Sequence, residues 1–204
     1  QMDGSSQGRG ISALLALNNT EFLVLERNNR GVGPGADNTA PFNKKVFKID
    51  LSNATDVTGV ALSSSGCSAG KVTKTTPALL DLALNGPVEL AGQVPEKWEG
   101  LAVGPRLDDG SYLMLAGTDN DYSVTQNAGN VQFDVYLRLT DAKPFLTSIQ
   151  CPLDSTSGCF WTSDSSAAVL PADGSYRLLP GVLVAYKVPA SDIPGFVPAV
   201  PQSK

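Results

Sequence analysis

The sequence contains no histidine in its 204 residues. A Ser-His-Asp triad or a Cys-His pair needs an imidazole as its base, so neither arrangement is completed within this chain. The pentapeptide at residues 4–8, GSSQG, matches the pattern G-x-S-x-G. It lacks the preceding apolar strand and the following helix that form a nucleophile elbow. The sequence therefore argues against serine- or cysteine-hydrolase chemistry carried by this chain alone.

Positive charge and long apolar runs are also scarce. The net charge is −5, and no run of basic residues exceeds Lys44-Lys45, so nucleic acid is not expected as a partner. No stretch of 18 apolar residues occurs, so no membrane-spanning helix is expected. Residues 1–8 lack the charged and apolar regions of a signal peptide, which is uninformative if the chain is a mature or trimmed product. A start at Gln1 favours such a product.

Cysteine is rare, with three residues in the chain. Cys151 and Cys159 flank a loop of turn-forming residues that can bring the two sulfurs within disulfide range, the alternative being two buried thiols. Asn18 and Asn53 each begin an N-x-T triplet, the acceptor pattern for N-glycosylation. Together these features favour a secreted, extracellular protein. Cys67 is then left over, either buried and free or bonded to a group outside this chain.

The sequence does contain many turn residues, 20 Gly and 14 Pro, between short apolar segments. No segment has a convincing helical period over ten residues, which predicts an all-β fold. Hairpins that are each followed by a further strand favour a β-propeller over a sandwich. We expect a domain over residues 1–188 and a Pro-rich tail over 189–204. The predicted strands lie at 11–17, 22–27, 45–51, 79–84, 101–116 (as a hairpin), 131–139, 167–170, 176–179 and 182–188.

Five motifs give the chain a family resemblance. They are GISALLAL at 10–17, LVLERN at 23–28, KKVFKIDL at 44–51, WEGLA at 98–102 and TDNDY at 118–122. In this order they resemble the phytase-like esterase family, secreted proteins described as having "esterase-like activity of phytase", and the fungal members look closest. The resemblance covers roughly residues 10–188. It implies a β-propeller and hydrolysis of phosphate esters or other small-molecule esters.

The resemblance also implies that part of the fold is missing. The family domain is considerably longer, and these motifs belong to its C-terminal half, so the N-terminal blades are absent here. A half-propeller exposes unpaired strand edges and an open core face. We therefore expect a cleaved or truncated portion that packs against the N-terminal portion of the same protein as a separate chain, with Cys67 as a candidate for a bond between them.

Charged residues at predicted strand ends are the candidate catalytic residues: Glu26, Arg27 and Glu99. In a propeller, some strand ends turn toward the axis or toward one common face. Arg27 can grip a phosphate by its fork or pair with Glu99. The alternative is that the three residues form structural ion pairs and turn caps.

A second acidic cluster, Asp119-Asn120-Asp121, provides candidate ligands for Ca²⁺, a cation that prefers oxygen. A bound cation attracts and polarises a phosphate that bare carboxylates repel. The alternative is an Asx-type turn without a metal. Two functions therefore stay open: a secreted ester hydrolase, or a non-catalytic extracellular binding or structural propeller fragment.

Overall fold

The computed structural model describes residues 9–32, 40–61, 71–119, 124–126, 131–178 and 181–198. These ranges contain twelve β-strands in three antiparallel sheets and one 3-10 turn at Val88–Leu90. The prediction of an all-β fold is therefore confirmed. No helix in this part of the chain has the length and apolar character needed to cross a membrane.

The first sheet follows the chain in the order β1 (Gly10–Ala16), β2 (Glu21–Arg27), β3 (Lys44–Asp50) and β4 (Leu80–Asp81). Its first hairpin closes at an Asx-type turn, because Asn18 Oδ1 accepts hydrogen bonds from the backbone N–H groups of Thr20 and Glu21 at 3.0 and 2.9 Å. Strand β2 alternates, so Leu23, Leu25 and Arg27 share the face that packs on the second sheet.

The second sheet has the order β12 (Leu183–Val188), β6 (Tyr112–Thr118) and β5 (Trp98–Arg106). The predicted hairpin forms β5 and β6 around the turn at 108–110, where Gly110 has a φ of 86°. Strand β5 contains a bulge at Glu99, because Trp98 pairs with Thr118 while Gly100 pairs with Gly117. The third strand, β12, comes from much later in the chain.

The third sheet lies between β6 and β12 in the sequence. It contains β7 (Val124–Gln126), β8 (Gln132–Leu137), β9 (Ile149–Pro152), β10 (Phe160–Trp161) and β11 (Arg177–Leu178). Their order is β10-β9-β8-β11, and β7 also pairs with β8. The predicted disulfide between Cys151 and Cys159 is confirmed, and it is buried beside Ile149 and Tyr176.

The main core lies between the first two sheets. Its fully buried members include Trp98, Met114 and Ile193. Ile193 belongs to the segment 189–198, which also places Phe196 edge-on to Tyr112 at a ring distance of 5.0 Å. Part of the segment that the sequence predicts as a tail thus contacts the core, while the domain boundary at residue 188 stays a prediction.

Two strand predictions differ from the structure. Residues 167–170 form no strand, and Ala167 makes only an isolated bridge to Phe160. Residues 79–84 contain a strand of two residues, followed by a turn at 82–84. No closed ring of blades is present in the described ranges, so the propeller stays a proposal.

A candidate charged site between the first and second sheets

Arg27 is the centre of a charged cluster at the end of β2. Its side chain is 14% exposed, and Nη2 lies 2.7 Å from Glu99 Oε1 while Nη1 lies 3.2 Å from Glu96 Oε1. Nη1 also donates to Asn29 Oδ1 at 3.2 Å. One guanidinium therefore holds two carboxylates, one preceding β5 and one within it. The structure thus brings two of the predicted catalytic residues, Arg27 and Glu99, into direct contact.

The two carboxylates differ in their access to solvent. The side chain of Glu96 is 6% exposed, whereas that of Glu99 is 37% exposed. Because Glu99 is the extra residue of the bulge, its side chain is positioned independently of the regular strand alternation. Of these two carboxylates, Glu99 is the one positioned to meet a ligand from solution.

Lys44 lies beneath this cluster and is fully buried. Its Nζ donates to the backbone carbonyl of Glu96 at 2.9 Å and to that of Asn28. Burial lowers the pKa of Lys44 to about 7, with the nearby Glu96 carboxylate raising it and Arg27 lowering it further. The amine therefore changes charge near neutral pH inside the candidate site.

Sequence reasoning missed Lys44 and Glu96. For Lys44 a signal existed, because Lys44 and Val46 are two residues apart on an alternating strand and must share a face. Val46 is a core residue, so Lys44 is turned inward as well. For Glu96 no pattern was available, since it precedes a strand and meets Arg27 only through the tertiary fold.

Glu26 lies on the opposite face of the first sheet. It pairs with Lys74, whose Nζ lies 4.0 Å from the centre of the Phe47 ring. Glu26 and Lys74 line a cleft with apolar walls that include Ile11 and Val24. The structure therefore does not bring Glu26 together with Arg27 and Glu99, although the three were predicted as one set.

Asp119 follows β6 at the same end of the hairpin as Glu99. Its backbone N–H donates to the carbonyl of Lys97 at 3.1 Å. Asn120 and Asp121 lie outside the described residues. Among the residues that are described, no three His, Cys, Asp or Glu side chains form a group able to hold a metal ion. Calcium binding by Asp119, Asn120 and Asp121 therefore stays a prediction.

The remaining predicted residues lie away from this cluster. Asn18 is half-buried in the β1–β2 turn, whereas Asn53 lies in a fully exposed segment after β3. Cys67 and the pentapeptide at 4–8 lie outside the described ranges.

The electrostatics of the cluster limit its chemistry. Both Nη atoms of Arg27 contact carboxylates, and its buried Nε has no hydrogen-bond partner among the described residues. A phosphate approaching Glu99 meets two negative groups close to one guanidinium, and repulsion between like charges is strong where water is excluded. Of the charged side chains in this cluster, the carboxylate of Glu99 is the most exposed to solvent, whereas Lys44 is buried.

The fold and the charged cluster define a broad class of protein. It is an all-β protein of antiparallel sheets, with an ion pair between Arg27 of the first sheet and Glu99 of the second. The chain belongs to the phytase-like family, described as having esterase-like activity of phytase, and the family model matches residues 1–122. The match includes Arg27, Lys44, Glu96, Glu99 and Asp119 and ends before the third sheet. It does not support the narrower assignment to fungal members. No curated protein and no solved structure matches the chain.

Proposed function

We propose that this chain supplies part of the site of a secreted hydrolase that acts on phosphate esters or other small-molecule esters. The observation that carries the proposal is the partly exposed Glu99, held at 2.7 Å by a mostly buried Arg27 within the region that matches the family. A carboxylate fixed in this way is preorganised to meet a reacting group, which is what positioning by an active site requires. Membership of a family described by esterase-like activity supports hydrolysis over other reactions.

In this proposal the described residues have distinct roles. Glu99 contacts the substrate or a cation that carries it, and Arg27 orients Glu99. Glu96 and Lys44 are positioning residues, because they reach the site only through Arg27 or through backbone carbonyls. A divalent cation, with Ca²⁺ as the candidate, would be held by Asp119, Asn120 and Asp121 and would supply the positive charge that the cluster lacks.

The test is release of phosphate from phytate and of p-nitrophenol from p-nitrophenyl phosphate by the complete protein, with added Ca²⁺ and with a chelator. We expect activity that the chelator removes and that Glu99→Gln lowers about 100-fold or more. The matched control is Glu89→Gln, since Glu89 is an exposed glutamate of the 3-10 turn and takes no part in the ion pairs of Arg27 with Glu96 and Glu99. Absence of activity under all conditions refutes the hydrolase. Full activity of Glu99→Gln removes Glu99 from the mechanism.

A second candidate function is a non-catalytic extracellular binding or structural role. It is favoured by the pairing of Arg27 with both Glu96 and Glu99, because ion pairs of this kind can connect β2 to the start of β5 without binding any ligand. Such a protein keeps the scaffold without the chemistry. The activity measurements above separate the two candidate functions, because a purely binding or structural protein is inactive with or without Ca²⁺.

We further propose that the sheets are blades of a propeller completed by the N-terminal portion of the same protein as a separate chain. The support is the outer face of the first sheet, where Ile11 and Leu14 are 69% and 60% exposed. A bond through Cys67 would give a larger species in non-reducing electrophoresis that reduction converts to the 21.3 kDa chain. A species of that mass under both conditions refutes the covalent link.

A further inference from the structure

Two segments of the chain carry the N-glycosylation pattern, and the structure places them in opposite surroundings. Asn53-Ala54-Thr55 follows β3 in a segment whose residues from 50 to 61 are all exposed. Asn18-Asn19-Thr20 forms the turn between β1 and β2, where Asn18 is half-buried. The pattern alone does not distinguish these two acceptors, whereas their hydrogen bonds do.

The Asn18 amide is engaged on both of its polar atoms. Oδ1 accepts from the backbone N–H groups of Thr20 and Glu21, which shapes the turn. Nδ2 donates to Glu21 Oε2 at 2.7 Å and to the carbonyl of Gly195 at 2.9 Å. A glycosylated amide retains a single N–H, so at least one of the two donated hydrogen bonds is lost.

The space around Asn18 is closed by the segment 189–198. A single Cβ placed on Gly195 would overlap the Asn18 amide and the Glu21 carboxylate. A sugar ring on Nδ2 is far larger than one methyl group, so it displaces this segment. Displacement would also break the bond from Val197 N–H to the Leu17 carbonyl at 2.8 Å and withdraw Ile193, 1% exposed, from the core.

Within the described part of the chain, the Asn53 amide has no such role. Its hydrogen bond is a long one, from Nδ2 to Ser52 Oγ at 3.5 Å. The local turn is held instead by backbone groups, with Ala54 N–H donating to the Leu51 carbonyl at 2.9 Å. The Ser52 N–H donates a hydrogen bond to the Asp50 carboxylate at 2.9 Å. The end of β3 is therefore held without the Asn53 side chain.

We propose that Asn53 carries an N-linked glycan in the folded protein and that Asn18 stays unmodified. In the transfer, Asn53 Nδ2 forms a bond to the anomeric carbon of an oligosaccharide carried on a lipid pyrophosphate. The bond from that carbon to the pyrophosphate oxygen breaks, the amide loses one proton and the lipid pyrophosphate leaves. The inference rests on the secretion included in the proposed function but is independent of hydrolysis.

The test is expression of the complete protein through the secretory pathway of a eukaryotic host, followed by isolation of the folded fraction. An amidase in ¹⁸O-water converts each glycan-bearing Asn to labelled Asp, which peptide mass spectrometry locates. We expect the label at residue 53 and unlabelled Asn at residue 18. Because the readout is mass, it does not depend on enzymatic activity.

Matched variants make the assignment specific. Thr55→Ala removes the acceptor pattern and leaves Asn53 in place, so the glycan should disappear, whereas Thr55→Ser should retain it. Asn18→Gln should leave the glycan at residue 53 unchanged. A glycan on Asn18 in the folded protein overturns the inference, and so does an unmodified Asn53 in a host that glycosylates a reference protein.

Discussion

Lys44 shows how one buried residue connects the fold to pH. Its ammonium is removed from water and donates to the backbone carbonyls of Asn28 and Glu96. Two charged groups act on its pKa: the Glu96 carboxylate favours the protonated amine, and the Arg27 guanidinium opposes it. Desolvation outweighs the attraction of Glu96, and the pKa falls to about 7 from the ordinary value of 10.5.

This difference predicts a pH dependence of stability. Between pH of about 7 and about 10.5 the unfolded chain keeps the Lys44 proton while the folded chain releases it, so the free energy of unfolding rises with pH. The largest slope from one such group is about 1.4 kcal/mol per pH unit. Below pH 7 both states are protonated, and the penalty of burying the charge is fully present.

Urea unfolding of the protein and of Lys44→Met across this pH window measures the effect. Methionine keeps an unbranched apolar chain in the same space and cannot titrate. We expect the curve of the variant to be flatter, so the difference between the two proteins changes with pH. Two parallel curves would show that Lys44 keeps its ordinary pKa in the folded state. Other titrating groups are common to both proteins and cancel in the comparison.

At the scale of single residues, the sequence could predict the contact between Arg27 and Glu99 and the separation of Glu26 from Arg27, but not the role of Glu96. The sequence allows Arg27 either to grip a phosphate or to pair with Glu99, and the structure shows the contact with Glu99. The separation of Glu26 from Arg27 follows from strand alternation alone, since adjacent residues point to opposite faces. Glu96 was not predictable, because a residue outside any strand has no periodicity that indicates its direction.

Among the structural elements, the segment 189–198 acts as a strap across the first hairpin. It is held by Asn18, whose amide contacts both Glu21 and Gly195, and Glu21 is held in turn by Lys48 at 3.1 Å. Gly195 has no space for a side chain, as its Cβ would meet Glu21 and Asn18. Glycine at this position therefore allows the close approach of the strap and does not serve a special backbone conformation.

We predict that Gly195→Ala lowers the free energy of unfolding by about 1–2 kcal/mol, measured by urea or thermal unfolding. The atoms it meets are the ends of side chains, which can move, so the cost is the loss of the Asn18 hydrogen bonds rather than backbone strain. Gly86→Ala is the control, because its Cβ would make an ordinary contact of 3.7 Å with the Leu82 carbonyl. Equal stability of the two variants would show that the strap does not depend on this contact.

Strands that pair with their sequence neighbours were the predictable elements. The hairpin of β1 and β2 and that of β5 and β6 each combine apolar alternation with an intervening polar turn. The position of β12 was not predictable, because it pairs with β6 only after the whole third sheet has intervened. Short strands such as β10 and β11 have two residues each, too few for a period to be recognised.

For the whole molecule, the outer face of the first sheet is covered at Val24 and Phe47, which are 4% and 7% exposed, and is open along its edge strand β1. The inner face packs on the second sheet through the main core. On the outer face, Leu14 pairs across β1 and β2 with Val24, and Ile11 pairs with Glu26. Directly paired residues share a face, so the two exposed side chains form a stripe along the edge strand β1. An exposed apolar edge of this kind promotes association with another sheet.

We predict that the chain expressed without a partner self-associates through this stripe. Sedimentation velocity should show species larger than the 21.3 kDa monomer, because burying apolar surface stabilises the contact by roughly 25 cal/mol per Å². The double variant Ile11→Lys/Leu14→Lys should shift the distribution toward monomer, since each added lysine would have to be desolvated at the contact. Val169→Lys is the control, because Val169 is 86% exposed and lies outside the three sheets. If the chain is monomeric at all concentrations, or if the double variant and Val169→Lys change its association equally, this face does not mediate association. The structural support for a missing neighbouring sheet is then removed.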